Sequence, residues 1–535
     1  MITQLSIVLV YLLATLGIGV LFRKSARISS VEFFLAGRNL NRMLLFFTMA
    51  ATNFSAFTIF GFSGAGYRIG YSFYPVMGFG TAFMALSFIV IGEKILILSK
   101  KRNYIIPSDF IQDRYNSPFL KKLFSMIMII FTLPYISLQA IASGKSLNSL
   151  IGIPYLAGAL LITGFVVTYV VLGGLRSIVW TDFFQGVLMI VFTLTAFIII
   201  ARKSGGFIHV HETIFSNAPS LFSRPGMNGS MGFGIWIGYM VLWFFADPMF
   251  PQLFQRFMVA KDRETLHTTV ILYPIITTFL FFLTVSIGVM GRSAFPALEA
   301  GRSDTIFPLL LGNYTSTFLS TLLLTGAIAA LMSTMDSQLL TLTSMITIDF
   351  LKVEKNEILK EKTTIIVIGA VSLLIALKPP NTILAFISRT TFNGLSVLGP
   401  CVLGGLYWKK ANKFGAIASI FTGEFMVVAY YFEKIQISGL HPVIPILSAT
   451  GVVFIFVSAL TSVSNENTNI VFRIKRGSLF FIPIFVLIFI LGNDFWNWGK
   501  TPVLAAGLPL WVWYYIALGI LLTAVYKLWF YLLKD

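Results

Sequence analysis

Apolar runs long enough to cross a bilayer recur along most of this chain, and that repetition constrains its fold more than any other feature. A spanning helix needs about 20 apolar residues, and about fifteen runs reach or approach that length. They lie at roughly 2–22, 43–67, 72–99, 123–147, 154–173, 181–201, 232–257, 269–291, 314–350, 363–377, 382–408, 412–432, 442–463, 478–494 and 507–531. Segments in hydrocarbon must satisfy their own backbone, which predicts an all-α polytopic membrane protein. Composition agrees, at 57% hydrophobic and 11% charged, against roughly 45–50% and 25% in soluble domains. The formal net charge of +18 does not point to nucleic acid, because the basic residues sit in short loops between runs. With the N-terminus outside, about 28 of the 39 Lys and Arg fall on the inner side and about ten outside, with Arg389 inside a span. That bias predicts an external N-terminus and a cytoplasmic C-terminus. The first run precedes Arg23 and Lys24 without a small-residue cleavage site, so it reads as a retained span. A lone cysteine, Cys401, excludes an intrachain disulfide. The end of run 314–350 is expected to project into water, and Phe495–Leu510 to fold back at the interface.

Several runs are not plain lipid-facing helices. Met43–Tyr67 carries Thr52, Asn53 and Ser55, then Gly61, Gly64 and Gly66, a composition that either packs tightly or unwinds. Run 232–257 carries Asp247-Pro248 and Pro251, and proline frees a carbonyl one turn earlier. Interrupted apolar segments in corresponding places are the sequence mark of a transporter site. Here they begin two blocks of five spans, 43–201 and 232–408. Five is odd, so the second block enters from the opposite face, as inverted repeats require. Around these blocks lie an extra N-terminal helix and loop (1–42), an external loop (202–231) and accessory C-terminal helices (409–535).

Gly326–Phe350 is apolar enough to span, yet it holds adjacent hydroxyls at Ser333 and Thr334, followed by Asp336, Ser337 and Gln338. Two hydroxyls beside a backbone carbonyl suit a hard cation such as sodium. The same hydroxyls equally serve as glue between helices or bond back to the preceding turn. Arg389 and Asp247 are ionisable groups placed inside spans, and each needs a partner or a wet cavity. They either pair with each other, or Arg389 holds a solute carboxylate while Asp247 orients it or meets an amine. His209 and His211 read as part of a solvated loop, since no third metal ligand stands near them in sequence. The chain has no HExxH, GxSxG or CxxC pattern, so no enzyme activity is expected.

Four ordered signatures resemble one family, the sodium:solute symporters, which carry sugars, proline, pantothenate, iodide and other solutes. They are Ala51-Thr52-Asn53-Phe54-Ser55 with Gly61 and Gly64, then Gly173-Gly174-Leu175-Arg176 through Trp180-Thr181-Asp182-Phe183-Phe184-Gln185. Ala330–Leu340 follows, and then Gly399-Pro400 with Leu406-Tyr407-Trp408 and Gly415-Ala416. The resemblance covers about residues 1–465. It implies a LeuT-type fold of two inverted five-helix repeats. It also implies a sodium site formed by the carbonyls of Ala51, Phe54 and Ala330 and the hydroxyls of Ser333 and Thr334. Asp182 is implied near the cation's exit, against the alternatives of a helix cap or a partner for Arg176. The solute set expected beside the interruptions is Asn53, Ser55, Phe57, Trp243, Asp247, Gln252, Arg389 and Asn393.

A sugar branch of the family has Asn-Gln-Tyr shortly before its Gln-Arg pair, whereas this chain has Phe250, Pro251 and Gln252 before Gln255-Arg256. Pro251 with Arg256-Phe257-Met258 is more similar to the proline and pantothenate branch. The reading that results is a sodium-coupled symporter importing a small carboxylate or amino acid by alternating access. Its partners are sodium, a small solute and the lipid of a bacterial inner membrane; no nucleic acid is expected, and a monomer suffices for transport. The alternatives are a sugar or polyol symporter and a transporter-like sensor working with a separate kinase, which the lack of a signalling domain before Asp535 argues against.

Overall fold

A computed structural model describes residues 2–22, 30–352, 358–379, 391–461, 467–473 and 476–532. Among them, ten helices are long and apolar enough to cross a membrane, and twelve spans result if each of two bent pairs counts as one. The remaining expected spans have specific explanations. Helix Tyr155–Lys203 is 49 residues long, about 74 Å at 1.5 Å per residue, more than twice a ~30 Å hydrocarbon core. Gly174 divides it, with φ 59° and ψ −156°. A side chain there would meet the Phe33 ring at 2.6 Å and the Phe33 carbonyl at 2.7 Å, which the glycine avoids. Spans 154–173 and 181–201 are therefore two helices joined end to end. Run 363–377 lies in helix Ile358–Ala376, and run 382–408 falls partly on residues outside the described set.

The bent pairs are Arg42–Asn53 with Phe57–Phe73, at 58°, and Phe233–Met249 with Pro251–Val259, at 59°. Both expected interruptions are present. The first falls at Phe54–Ala56, upstream of the glycines. Those glycines serve close packing instead: a Cβ on Gly66 would strike the Val285 carbonyl of helix Arg263–Ala294.

Helix Thr317–Phe350 is central: every residue from Leu323 to Met345 is buried. That location explains how an apolar helix tolerates so many hydroxyls and carboxylates, for none faces lipid. At its end Phe350 is exposed while Asp349 is buried. Asp349 accepts from Ser108 at 2.6 Å and pairs with Lys121 at 3.0 Å. Lipid-facing surface lies elsewhere, for example Val10, Leu160, Phe425, Phe456 and Ile520, all well exposed on peripheral helices.

Segment 202–231 is not a loose loop. It forms helix Phe207–Asn217, and Arg224 makes a buried ion pair with Asp494 among the rings of Trp498, Trp511 and Tyr515. His211 is buried, correcting the expectation of a solvated loop. One ring nitrogen lies 2.7 Å from the Tyr71 hydroxyl and the other 2.7 Å from the Phe207 carbonyl, and burial pushes its pKa down to about 4. The C-terminal fold-back is a short hairpin, Leu504–Ala505 against Leu508–Pro509, between helices Gly477–Asn497 and Leu510–Leu532.

Candidate functional site

The first break follows from how three successive N–H groups are used. In a continued helix, Ser55, Ala56 and Phe57 would donate to the carbonyls of Ala51, Thr52 and Asn53. Instead Ser55 N donates to Thr58 Oγ1 at 3.2 Å, Ala56 N to Gln139 Oε1 at 3.0 Å, and Phe57 N to Ser55 Oγ at 3.1 Å. The Thr58 N–H donates to the Ser55 carbonyl at 2.9 Å, one residue beyond Phe54. Side chains thus satisfy the donors and release the acceptors.

The released carbonyls meet the hydroxyl pair. Ser333 Oγ lies 2.9 Å from the Ala51 carbonyl and 3.0 Å from that of Ala330. Thr334 Oγ1 lies 3.1 Å from the Thr52 carbonyl and 3.2 Å from that of Ala330. Each hydroxyl has one proton to share between two carbonyls, so the cluster holds more lone pairs than protons. An all-oxygen cluster with surplus acceptors has the chemistry of a hard-cation site. Ala51, Ala330, Ser333 and Thr334 are therefore brought together as expected. The Thr52 carbonyl joins them, which sequence reasoning missed. Phe54 lies at the break itself, and its backbone N–H returns to Ala50 at 2.8 Å.

One turn along the same helix is a buried charged cluster. Arg256 donates from Nε to Thr48 Oγ1 at 2.9 Å, pairs with Asp182 at 3.5 Å and reaches Ser337. Thr48 donates to Asp182, and Thr52 and Ser337 hydroxyls lie 2.9 Å apart. Tyr169 donates to Asp336 at 2.7 Å. Arg176, the other partner considered for Asp182, is half-exposed and bonds Glu32 at 3.4 Å, because six residues along the same helix put the two side chains on different faces. The second oxygens of Asp182 and Asp336 and both polar atoms of the Gln338 amide are buried without a hydrogen-bond partner among the described residues.

Beside both breaks lies the region expected to take the solute. Asn53 Nδ2 is 3.3 Å from Asp247 Oδ2 and also bonds the Tyr273 hydroxyl. Tyr135 donates to Ser55 Oγ at 2.9 Å. The Phe392 ring sits 5.7 Å from Phe57, 6.0 Å from Tyr135, 5.0 Å from Trp243 and 5.4 Å from Phe250. Among the described residues, Gln252 Oε1 and Trp243 Nε1 are buried here without partners, and Asn393 is buried next to Phe392. Buried polar atoms without partners mark where an absent polar group would bind. Arg389 lies outside the described residues, so its expected pairing with Asp247 has no structural counterpart here. Tyr135, Tyr273, Gln139 and Phe392 were missed by sequence reasoning. Rings and amides in apolar helices are common, and only their convergence from separate helices singles them out.

Comparisons with known proteins bear on this geometry. A family model described as the sodium:solute symporter family matches residues 33–423. A sodium/pantothenate symporter of Escherichia coli strain K12 is 29% identical over 459 residues, covering 83% of this chain and 94% of that protein. A sodium/proline symporter of Staphylococcus aureus strain JH9 is 25% identical over 475 residues, covering 84% and 91%. The solved structure of a Na+-coupled sialic acid symporter, substrate-bound and outward-open, superposes with a TM-score of 0.71 at 19% identity, covering 87% of this chain and 99% of that one. The fold is therefore the LeuT type, and the chain belongs to the sodium:solute symporter family, multi-pass membrane proteins that move a small solute together with sodium.

Proposed function

We propose that this protein imports a small carboxylate-bearing solute, such as an amino acid or a vitamin acid, driven by sodium. The observation that carries the reading is the transfer of the Ala51 and Thr52 carbonyls from their own helix to Ser333 and Thr334. In this reading sodium binds among those four groups and the carbonyls of Ala330 and Phe54. The solute binds beside Asn53, Ser55, Phe57, Trp243, Asp247, Gln252, Arg389 and Asn393. The carboxylate preference is supported by the two relatives named for pantothenate and proline, both of which bear that group, and by Pro251 in place of a sugar-binding pattern. The first repeat runs 43–201 and the second 232–408, each opening with its broken helix. The N-terminus faces outside and the C-terminus the cytoplasm of a bacterial inner membrane, and one copy suffices for transport.

Sodium favours the outward-open state and helps to order the broken helix for the solute. The aromatic rings then close over it. Opening toward the cytoplasm requires the Arg256–Asp182–Thr48–Ser337 cluster to loosen, and sodium leaves past Asp182. At −100 mV one inward charge supplies about 2.3 kcal/mol, and a tenfold sodium gradient about 1.4 kcal/mol. Together, about 3.7 kcal/mol drives roughly 500-fold accumulation of a neutral solute per sodium. A monoanion moved with one sodium carries no net charge, so it gains only the gradient.

The test is uptake of labelled proline, pantothenate and simple monocarboxylates, with glucose as a non-carboxylate control, into proteoliposomes with and without an inward sodium gradient. One acid should accumulate above equilibrium only with the gradient. Accumulation of glucose alone would overturn the carboxylate reading, and sodium-dependent binding without accumulation would favour the sensor.

A further inference from the structure

A cavity of about 1390 Å³ lies away from the transport site, among helices Pro75–Arg102, Arg263–Ala294, Gly477–Asn497 and Leu510–Leu532. It exceeds the ~300–1,000 Å³ of ordinary small-molecule pockets. Its walls are apolar and aromatic, including Leu86, Ile271, Phe481, Phe485, Phe489 and Phe530. Its rim carries Arg42, Lys94, Arg263, Arg473 and Lys527, against two carboxylates, Glu93 and Glu264.

Those carboxylates are already used. Glu93 lies 3.2 Å from Lys94, 3.8 Å from Arg263 and 3.1 Å from His267, and Glu264 pairs with Arg42. His267 in turn stacks on the Phe530 ring, with centroids 3.8 Å apart. Arg473 and Lys527 form no ion pair among the described residues, although both line the same cavity. The site thus joins a greasy cleft to an excess of positive charge on its rim. Basic pockets between membrane helices recognise anionic lipid headgroups, and tails occupy the apolar remainder.

We propose that this cavity is a binding site for an anionic phospholipid, with its phosphate at Arg473 and Lys527 and its acyl chains along Phe481, Phe485 and Leu86. The lipid would bridge the accessory C-terminal helices to the core. It would sit in the inner leaflet, and that one detail rests on the proposed orientation of the chain. A zwitterionic lipid matches the walls but not the rim, and a free phosphate matches the rim but not the walls.

The test is native mass spectrometry of the full-length, delipidated protein titrated with dioleoylphosphatidylglycerol, dioleoylphosphatidylcholine or glycerol 3-phosphate. The phosphatidylglycerol should bind at least tenfold more tightly than either other probe. The double variant Arg473→Gln/Lys527→Gln should lose that preference while binding phosphatidylcholine unchanged. The control Lys409→Gln/Lys410→Gln, exposed cations outside the cavity lining, should retain it. Equal affinity for the two phospholipids, retention of preference in the first variant, or equal loss in the control would overturn the site. None of these readouts needs transport, so failure of the proposed function leaves the result interpretable.

Discussion

The two broken spans bend by nearly the same angle, 58° and 59°, yet they are broken by different chemistry. The first contains no proline. It is interrupted because Thr58, Gln139 and Ser55 capture three N–H groups, which sets carbonyls free. The second is interrupted by Pro248 and Pro251, with Phe250 extended at φ −61° and ψ 123° between its halves. Proline removes a donor outright, and the Asp247 carbonyl is taken by Phe250 N at 3.1 Å. Both breaks free carbonyls, but those of Ala51 and Thr52 at the first meet the Ser333 and Thr334 hydroxyls, whereas the Asp247 carbonyl at the second is taken up again by its own chain. In the proposed reading the cation chemistry belongs to the first break, and the second supplies shape.

The half before the first break is tied to the half after the second, and cutting that tie is expected to have the largest effect. Leu40 N donates to the Val259 carbonyl at 3.2 Å, and Arg256 links Thr48 to Asp182. Arg256→Gln leaves the Asp182 carboxylate buried without its cation, so stability should fall by about 3–5 kcal/mol. Adding Asp182→Asn should recover much of that loss, measured as the coupling energy of a double-mutant cycle of unfolding in detergent. Additive losses would mean that Arg256 and Asp182 are not coupled. Next in size is Gln139→Leu, which strands the Ala56 N–H. The expected cost is about 1–3 kcal/mol, accompanied by weaker sodium dependence, since the helix can then reclaim the Thr52 carbonyl. Loss of stability with sodium dependence intact would detach the captured donors from the cation site.

The hydroxyl pair was legible in the sequence because Ser333 and Thr334 are conspicuous in an apolar run. The broken spans were legible for a similar reason, as polar or proline residues within helices. The position of the first break was not. Gly61, Gly64 and Gly66 draw attention as flexible residues, but the break depends on Gln139 reaching in from another helix, which no local pattern records. Asp182 was singled out only through the family resemblance, with a helix cap or Arg176 as alternatives, and its partner Arg256 was visible only as half of a Gln-Arg pair, 74 positions away. The aromatic enclosure around Phe392 was illegible for the same reason: its rings come from several separate segments.

Ser333→Ala and Thr334→Ala test the oxygen cluster directly. Each removes one hydroxyl oxygen and the proton that meets the Ala51 or Thr52 carbonyl. Each variant should fold, and its sodium affinity should fall tenfold or more, about 1.4 kcal/mol. The measurement is the sodium-dependent rise in thermal stability, which at 100 times the dissociation constant amounts to about 2.7 kcal/mol for a ligand that binds only the folded state. A wild-type response in both variants would place the cation elsewhere and remove the distinction between the breaks.

The smallest effect belongs to the second break. Pro251 is the first residue of helix Pro251–Val259, where an N–H needs no intrahelical acceptor. Pro251→Ala restores a donor near the Asp247 carbonyl, but that carbonyl already accepts from Phe250, and Pro248 still interrupts the preceding turn. The bend should therefore persist, with a stability change below about 1 kcal/mol, mainly from the freer unfolded chain. Sodium affinity should stay at the wild-type value, because no oxygen in the Ser333 cluster touches this segment. Solute half-saturation should move more than sodium half-saturation, since Gln252 and Phe250 flank the substituted position. Paired uptake titrations, one in sodium and one in solute, read the two separately. If Pro251→Ala shifts sodium half-saturation as strongly as Thr334→Ala does, the two breaks act as one unit and their chemical division is wrong.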